Sequence, residues 1–167
     1  MPSARVSIQF RRLIVLLAAL FLAAGCRKQV PIPDGDITAS LTLPTATGAS
    51  FDPSTLKGKP TLVVFASPTC GHCFKELPVA QAAASAESAH VVAVFIVGGK
   101  QHAAAMVERA KFTATTLVDT AGDLRNKYDI KAVPYLIVLG PDGKGREAFR
   151  GEQDEQTLRS ALASARD

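Results

Sequence analysis

Cys70-Gly71-His72-Cys73 constrains the fold of this chain more than any other stretch. An apolar, β-rich run from Thr61 to Ala66 precedes it and reads as a strand buried on both faces. An Ala-rich amphipathic stretch follows and reads as a helix. Two cysteines separated by two residues at a helix N-terminus can close a small disulfide. The free backbone N–H groups and the helix dipole there favour a thiolate on the first sulfur. A thiolate is the species that attacks a disulfide, so the placement points to thiol–disulfide exchange. The alternatives are a structural disulfide or half of a zinc site. A structural zinc site needs a second CxxC or a paired-His segment, and this sequence holds neither.

The N-terminus sets the compartment. Arg5, Arg11 and Arg12 form a positive region, Leu13 to Ala24 is a short apolar run, and Gly25 and Cys26 follow. This is the layout of a secretory signal peptide over residues 1–25, with an apolar run short for a membrane span. Leu22-Ala23-Ala24-Gly25-Cys26 resembles a bacterial lipobox, with Leu22 one step earlier than usual. That resemblance implies lipidation of Cys26 and membrane attachment, in the periplasm or cell envelope. An uncleaved anchor and cleavage without lipidation are the competing readings. Removing the signal takes away three of 19 basic residues and lowers the formal charge from +4 to +1. With no basic run left, nucleic acid is not an expected partner.

Residues 26–40, with Pro31, Pro33 and Gly35, read as a flexible tether, and residues 41–165 as one domain. Within it, Leu41–Leu43 reads as a short strand, Thr61–Ala66 and Val91–Val97 as buried strands, and Gly71 to Ser88 as a helix containing Pro78. Helices over Gln101–Lys111 and Leu124–Tyr128 flank a short strand at Thr115–Val118. Tyr135–Leu139 and Arg146–Arg150 form a hairpin about Pro141-Asp142-Gly143-Lys144, and Thr157–Ala165 closes the chain as a helix. The alternation predicts an α/β sandwich with a mixed sheet.

The run from Gly58 to Cys73 resembles the active-site strand and loop of the thioredoxin superfamily, in particular its TlpA-like, membrane-attached thiol–disulfide oxidoreductases. Pro78 stands where such folds kink the active-site helix, and Tyr128 to Val138 matches the segment that carries their cis-proline. The resemblance implies a thioredoxin-like three-layer sandwich with a mixed central sheet flanked by helices. It also implies a redox disulfide between Cys70 and Cys73, and a cis bond at Pro134. Two positions depart from the family. Thr69 replaces the Trp before the first cysteine, and Val64 stands where thioredoxins bury a proton-relaying Asp.

Cys70, nearer the helix start, is the expected nucleophile, with a pKa below the ~8.5 of a free thiol. Cys73 is the expected resolving thiol. His72 can stabilise the Cys70 thiolate or act as a solvated spacer. Val133, Pro134 and Thr69 are the expected client-binding residues, with the Val133 backbone offered to an extended client segment. Glu76 reads as a solvated helix residue, with a water-mediated proton relay as the other reading. His90 and His102 read as surface residues, Lys57 and Lys59 as loop charges, and Phe65, Phe74 and Phe95 as core or groove residues.

The chemistry implied is disulfide exchange with client proteins, reset by a membrane redox partner and needing no cofactor. The resemblance pulls towards a reductase, of the type used in cytochrome c maturation or metal-site assembly. The Gly-His dipeptide pulls towards an oxidase or isomerase. A copper chaperone using the same cysteines is the reading from outside enzymology.

Overall fold

A computed structural model describes residues 30–166; the expected signal peptide and Cys26 lie outside the described residues. Five strands build one sheet: β1 (Thr61–Ala66), β2 (His90–Phe95), β3 (Thr115–Val118), β4 (Tyr135–Leu139) and β5 (Gly145–Arg150), in the spatial order β3-β2-β1-β4-β5. β1 is central and buried at every residue, which accounts for its unbroken Val/Leu/Phe run. It pairs in parallel with β2 and antiparallel with β4, so the sheet is mixed, as expected. Phe65 near the end of β1 stands opposite Tyr135 at the start of β4. The loop leaving β1 is therefore brought beside the residues that precede Tyr135.

The two faces of β1 feed separate cores. Leu62, Val64 and Ala66 pack with Cys73, Leu77, Ala80, Met106, Leu158 and Leu162. These come from α1 (Gly71–Ala86), α2 (Gly99–Arg109) and α4 (Glu155–Ser164). Val63 and Phe65 pack with Ile37, Leu41, Leu56, Leu124 and Ile130. The second face thus carries one short helix, α3 (Asp123–Lys127), and the N-terminal segment. The three expected layers are present, one of them thin.

Two expectations fail here. Leu41–Leu43 is not a strand: a 3₁₀ turn, Thr38–Ser40, precedes it, and Leu41 plugs the second core with 0% exposure. The chain pairs slightly later, where Val118 N–H donates to Pro44 O at 2.9 Å and Ala46 N–H donates to Thr116 O at 2.9 Å. Those bonds occupy the outer edge of β3, which would otherwise be open to another chain. Nor do the described residues of the expected tether hang free. Ile37 is fully buried, Tyr135 Oη–H donates to Pro31 O, and the N–H groups of Ile37 and Thr38 both donate to Gly143 O, at 2.9 and 3.3 Å. Gly143 makes this docking possible. Its φ is +80°, and a Cβ there would lie 2.5 Å from Asp36 Oδ1 and 2.8 Å from Thr38 Oγ1. Apolar Ile37 and Leu41 drive the segment onto the sheet, despite its Pro, Gly and Asp content.

The remaining elements begin or end within a few residues of expectation. α4 starts earlier, at Glu155, because Asp154 caps it: Thr157 N–H donates to Asp154 Oδ1 at 2.8 Å. α1 runs continuously through Pro78, whose ring is exposed. Among the described residues no helix is long and apolar enough to cross a membrane.

Candidate active site

The chain turns at Ser67, where the carbonyl accepts Cys70 N–H at 3.1 Å, and Cys70 becomes the N-cap of α1. Pro68 in this turn packs on Gly98 after β2. Gly98 has φ +88°, and a Cβ there would come 2.8 Å from Pro68 Cγ. His102 braces the same corner, its Nδ1–H donating to Gly98 O at 2.6 Å. His102 is exposed, as expected, and is turned to a carbonyl rather than to the cysteines. Among the described residues no group of three or more His, Cys, Asp or Glu side chains is placed to hold a metal ion.

Cys70 and Cys73 form a disulfide with their Cα atoms 5.2 Å apart. Cys73 is fully buried and Cys70 is partly exposed, so the outer sulfur is the one an incoming thiolate or disulfide can reach. The backbone N–H of Cys73 donates to Cys70 Sγ at 3.1 Å. That donor, at the positive end of a 16-residue helix, favours negative charge on this sulfur once the disulfide is reduced. The carbonyl oxygen of Val133 lies 3.8 Å from the same sulfur. The Val133–Pro134 bond is cis, and Pro134 is buried with its carbonyl taken by Gly151 N–H at 2.9 Å. Thr69 is exposed beside the pair, its Oγ1 3.1 Å from Ser67 Oγ.

Glu76 corrects the solvated reading. It is 1% exposed, one carboxylate oxygen accepts Gln153 N–H at 2.9 Å, and the other has no partner. Burial, reinforced by the charge of Glu152, pushes its pKa up to about 7, against the opposing pull of the Gln153 hydrogen bond. Cys73, Glu76, Leu77, Ala80 and Ala84 share the buried side of α1. That helical spacing is legible in the sequence and is the signal that places Glu76 inward. Val64 is fully buried in the same core as Cys73, so the acid on this side of the sheet comes from the helix instead of the strand.

His72 faces outward, its side chain 74% exposed, with Nδ1 2.6 Å from Glu152 Oε1. Since a carboxylate only accepts, the imidazole donates. Glu152 sits 80 residues away in the loop after β5, and no local pattern announces it. Lys75 Nζ is 3.9 Å from the same oxygen. Phe65 and Phe95 are core residues, whereas Phe74 is 36% exposed with Arg109 5.6 Å above its ring. Lys57 pairs with Asp36 at 3.6 Å. His90 is half-buried, and burial together with Lys59 lowers its pKa.

A family model described as a thioredoxin-like domain matches residues 49–166. The methylamine utilization protein MauD of Methylobacillus flagellatus is 28% identical over 106 residues, covering 60% of this chain and 46% of that protein. The match thus spans about half the length of MauD. The soluble secreted antigen MPT53 of Mycobacterium tuberculosis is 27% identical over 135 residues, covering 78% of this chain and 76% of the antigen. Among solved structures, a secreted Mycobacterium tuberculosis disulfide oxidoreductase homologous to Escherichia coli DsbE superposes with a TM-score of 0.68 at 24% identity. That superposition covers 78% of this chain and 99% of the other.

Proposed function

This chain belongs to the thioredoxin-like family, and from that premise we propose that it is an exported thiol–disulfide oxidoreductase that reduces client proteins through Cys70 and Cys73. The observation that carries the reading is the setting of one sulfur. Cys70 Sγ is partly exposed, receives the Cys73 N–H at 3.1 Å, and has the Val133 carbonyl 3.8 Å away. The first contact stabilises a thiolate leaving group or nucleophile. The second supplies a backbone edge where an extended client segment can lie across the sulfur. Pro134 adds no competing N–H at that edge.

The exchange balances on these two sulfurs. The Cys70 thiolate attacks a client disulfide, one client sulfur leaves as thiolate, and a Cys70–client disulfide forms. Cys73 then loses its proton and attacks Cys70 Sγ, which expels the second client sulfur and closes the Cys70–Cys73 disulfide. The client gains two electrons and the protein loses two. The client thiolates take one proton from Cys73, by way of Glu76 and water, and one from solvent. A carboxyl with a pKa of about 7 suits that relay, because it accepts and returns a proton near neutral pH. A membrane redox partner with a dithiol resets the pair.

Lipidated Cys26 remains the proposed attachment point. Val30 packs on the second core, so three residues, Arg27, Lys28 and Gln29, separate that cysteine from the domain surface. The four Cα–Cα steps from Cys26 to Val30 span at most about 14 Å, which holds the domain close to the bilayer. The relatives named secreted fit an exported domain. The lean to the reductant rests on the TlpA-like resemblance, which extends over residues 41–165, whereas the Gly71-His72 dipeptide is two residues. The reduction potential of the pair tests the direction. A value near about −270 mV supports a reductase, and one near about −120 mV overturns that part of the reading.

A further inference from the structure

His72 is the side chain that argues for an oxidising couple, because a protonated imidazole beside the Cys70 thiolate stabilises the reduced protein. What faces His72 changes that argument. Nδ1–H donates to Glu152 Oε1 at 2.6 Å, and the same oxygen lies 3.9 Å from Lys75 Nζ. His72 and Lys75, both in the first turns of α1, therefore meet one carboxylate. The pair is not a casual meeting of two long side chains, because the residues on either side of Glu152 are pinned. Gly151 N–H donates to the carbonyl of Pro134 at 2.9 Å, on the cis-proline side of the site. Gln153 N–H donates to buried Glu76 at 2.9 Å, on the helix side. The Gln153 side chain closes the loop on itself, donating to Glu152 O at 2.7 Å and Gly151 O at 3.2 Å. Glu152 is thus held above the start of α1 by anchors reaching both halves of the site.

We propose that Glu152 is a positioning residue that engages His72 and cancels its field at Cys70, so that the Gly71-His72 dipeptide leaves the couple reducing. This rests on the reading of Cys70–Cys73 as a redox couple. A charge of each sign at hydrogen-bond distance acts on a third group as a dipole, whose effect falls off faster than that of a lone imidazolium. The titratable and charged groups that gather here are His72, Lys75 and Glu76 from α1 and Glu152 from the loop after β5. Removing the Glu152 charge leaves the Lys75 ammonium, and the His72 imidazole whenever it is protonated, uncompensated at the start of α1.

The test is a cycle of variants equilibrated against reduced and oxidised glutathione at about pH 6, where an ordinary imidazole is mostly protonated. Glu152→Gln keeps the shape and the hydrogen-bonding oxygen while removing the charge. It is expected to shift the equilibrium three- to tenfold towards the reduced protein, where tenfold corresponds to about 30 mV. His72→Ala alone is expected to change it less than twofold, yet in the Glu152→Gln background it should undo most of the shift. An electrostatic origin also requires the shift to shrink in about 1 M salt, where the screening length is near 3 Å. An unchanged equilibrium in Glu152→Gln overturns the proposal, and so does an equal effect of His72→Ala in both backgrounds. The wild-type potential itself tests the direction of the proposed function separately, since the proposal concerns only differences between variants.

Discussion

The carboxylate of Glu76 accepts the backbone N–H of Gln153 at 2.9 Å from inside the core, and so ties the active-site helix to the loop after β5. One buried acid thereby does two things. It stands three residues beyond Cys73 on the same buried side of the helix, and it fixes the loop that carries Glu152.

Glu76 should mark the pH dependence of stability. Its carboxyl is raised to about 7 in the folded protein, against about 4.3 in an unfolded chain. Between those values the folded state keeps a proton that the unfolded chain has released. Stability is therefore full below about pH 4, falls as pH rises towards 7, and levels above it. The total loss is on the order of 3 kcal/mol, taken from the size of the shift. Urea titrations should show this fall in the parent. Glu76→Gln, which retains an acceptor for Gln153, should show a nearly flat profile from mildly acid to neutral pH. A parent profile without the fall would mean that Glu76 is ionised in the core.

The same residue should govern the second step of exchange. In stopped-flow measurements, resolution of a preformed mixed disulfide should accelerate as pH rises through about 7. Glu76→Gln should slow it at neutral pH by tenfold or more, at the lower end of general-base effects. Attack by Cys70 on a model disulfide should change far less. Equal slowing of both steps would point to damaged structure in place of a lost relay.

Gly98 should tolerate no side chain. Its φ of +88° is left-handed, and an added Cβ meets Pro68 Cγ at 2.8 Å within the active-site turn. Gly98→Ala should cost about 2 kcal/mol or more. That corresponds to a drop of roughly 5–10 °C in Tm. An alanine variant as stable as the parent would show that the turn has room to move.

Replacing Cys26 with Ser should release an exported domain from the membrane fraction, with no lipid found by mass spectrometry on its N-terminal peptide. Detection of an unmodified Cys26 in the parent would leave export without an anchor.

Much of this architecture was legible in advance. Thr61–Ala66, Thr115–Val118 and Tyr135–Leu139 are strands with the expected bounds, because runs of buried β-branched and aliphatic residues have one good use in a covered sheet. The cis bond at Pro134 and the Cys70–Cys73 pairing follow the family resemblance. What escaped depends on long-range contacts. Ile37 and Leu41 are isolated apolar residues in a Pro- and Gly-containing stretch, and their burial comes from the distant Gly143 turn. Glu76 reads as solvated because a charged residue on an amphipathic helix ordinarily faces water. The 3.6-residue spacing from Cys73 to Ala84 nonetheless pointed it inward. Glu152 reaches His72 across 80 residues, a separation at which no motif speaks.

The central claim, that Cys70 attacks and Cys73 resolves, is tested most directly by trapping. Cys73→Ser, expressed as the full chain, should accumulate reductant-sensitive mixed disulfides with client proteins, each linked through Cys70 by peptide mass spectrometry. Cys70→Ser should accumulate none. Adducts formed through Cys73 in the Cys70→Ser variant, or adducts in neither variant, would contradict the account.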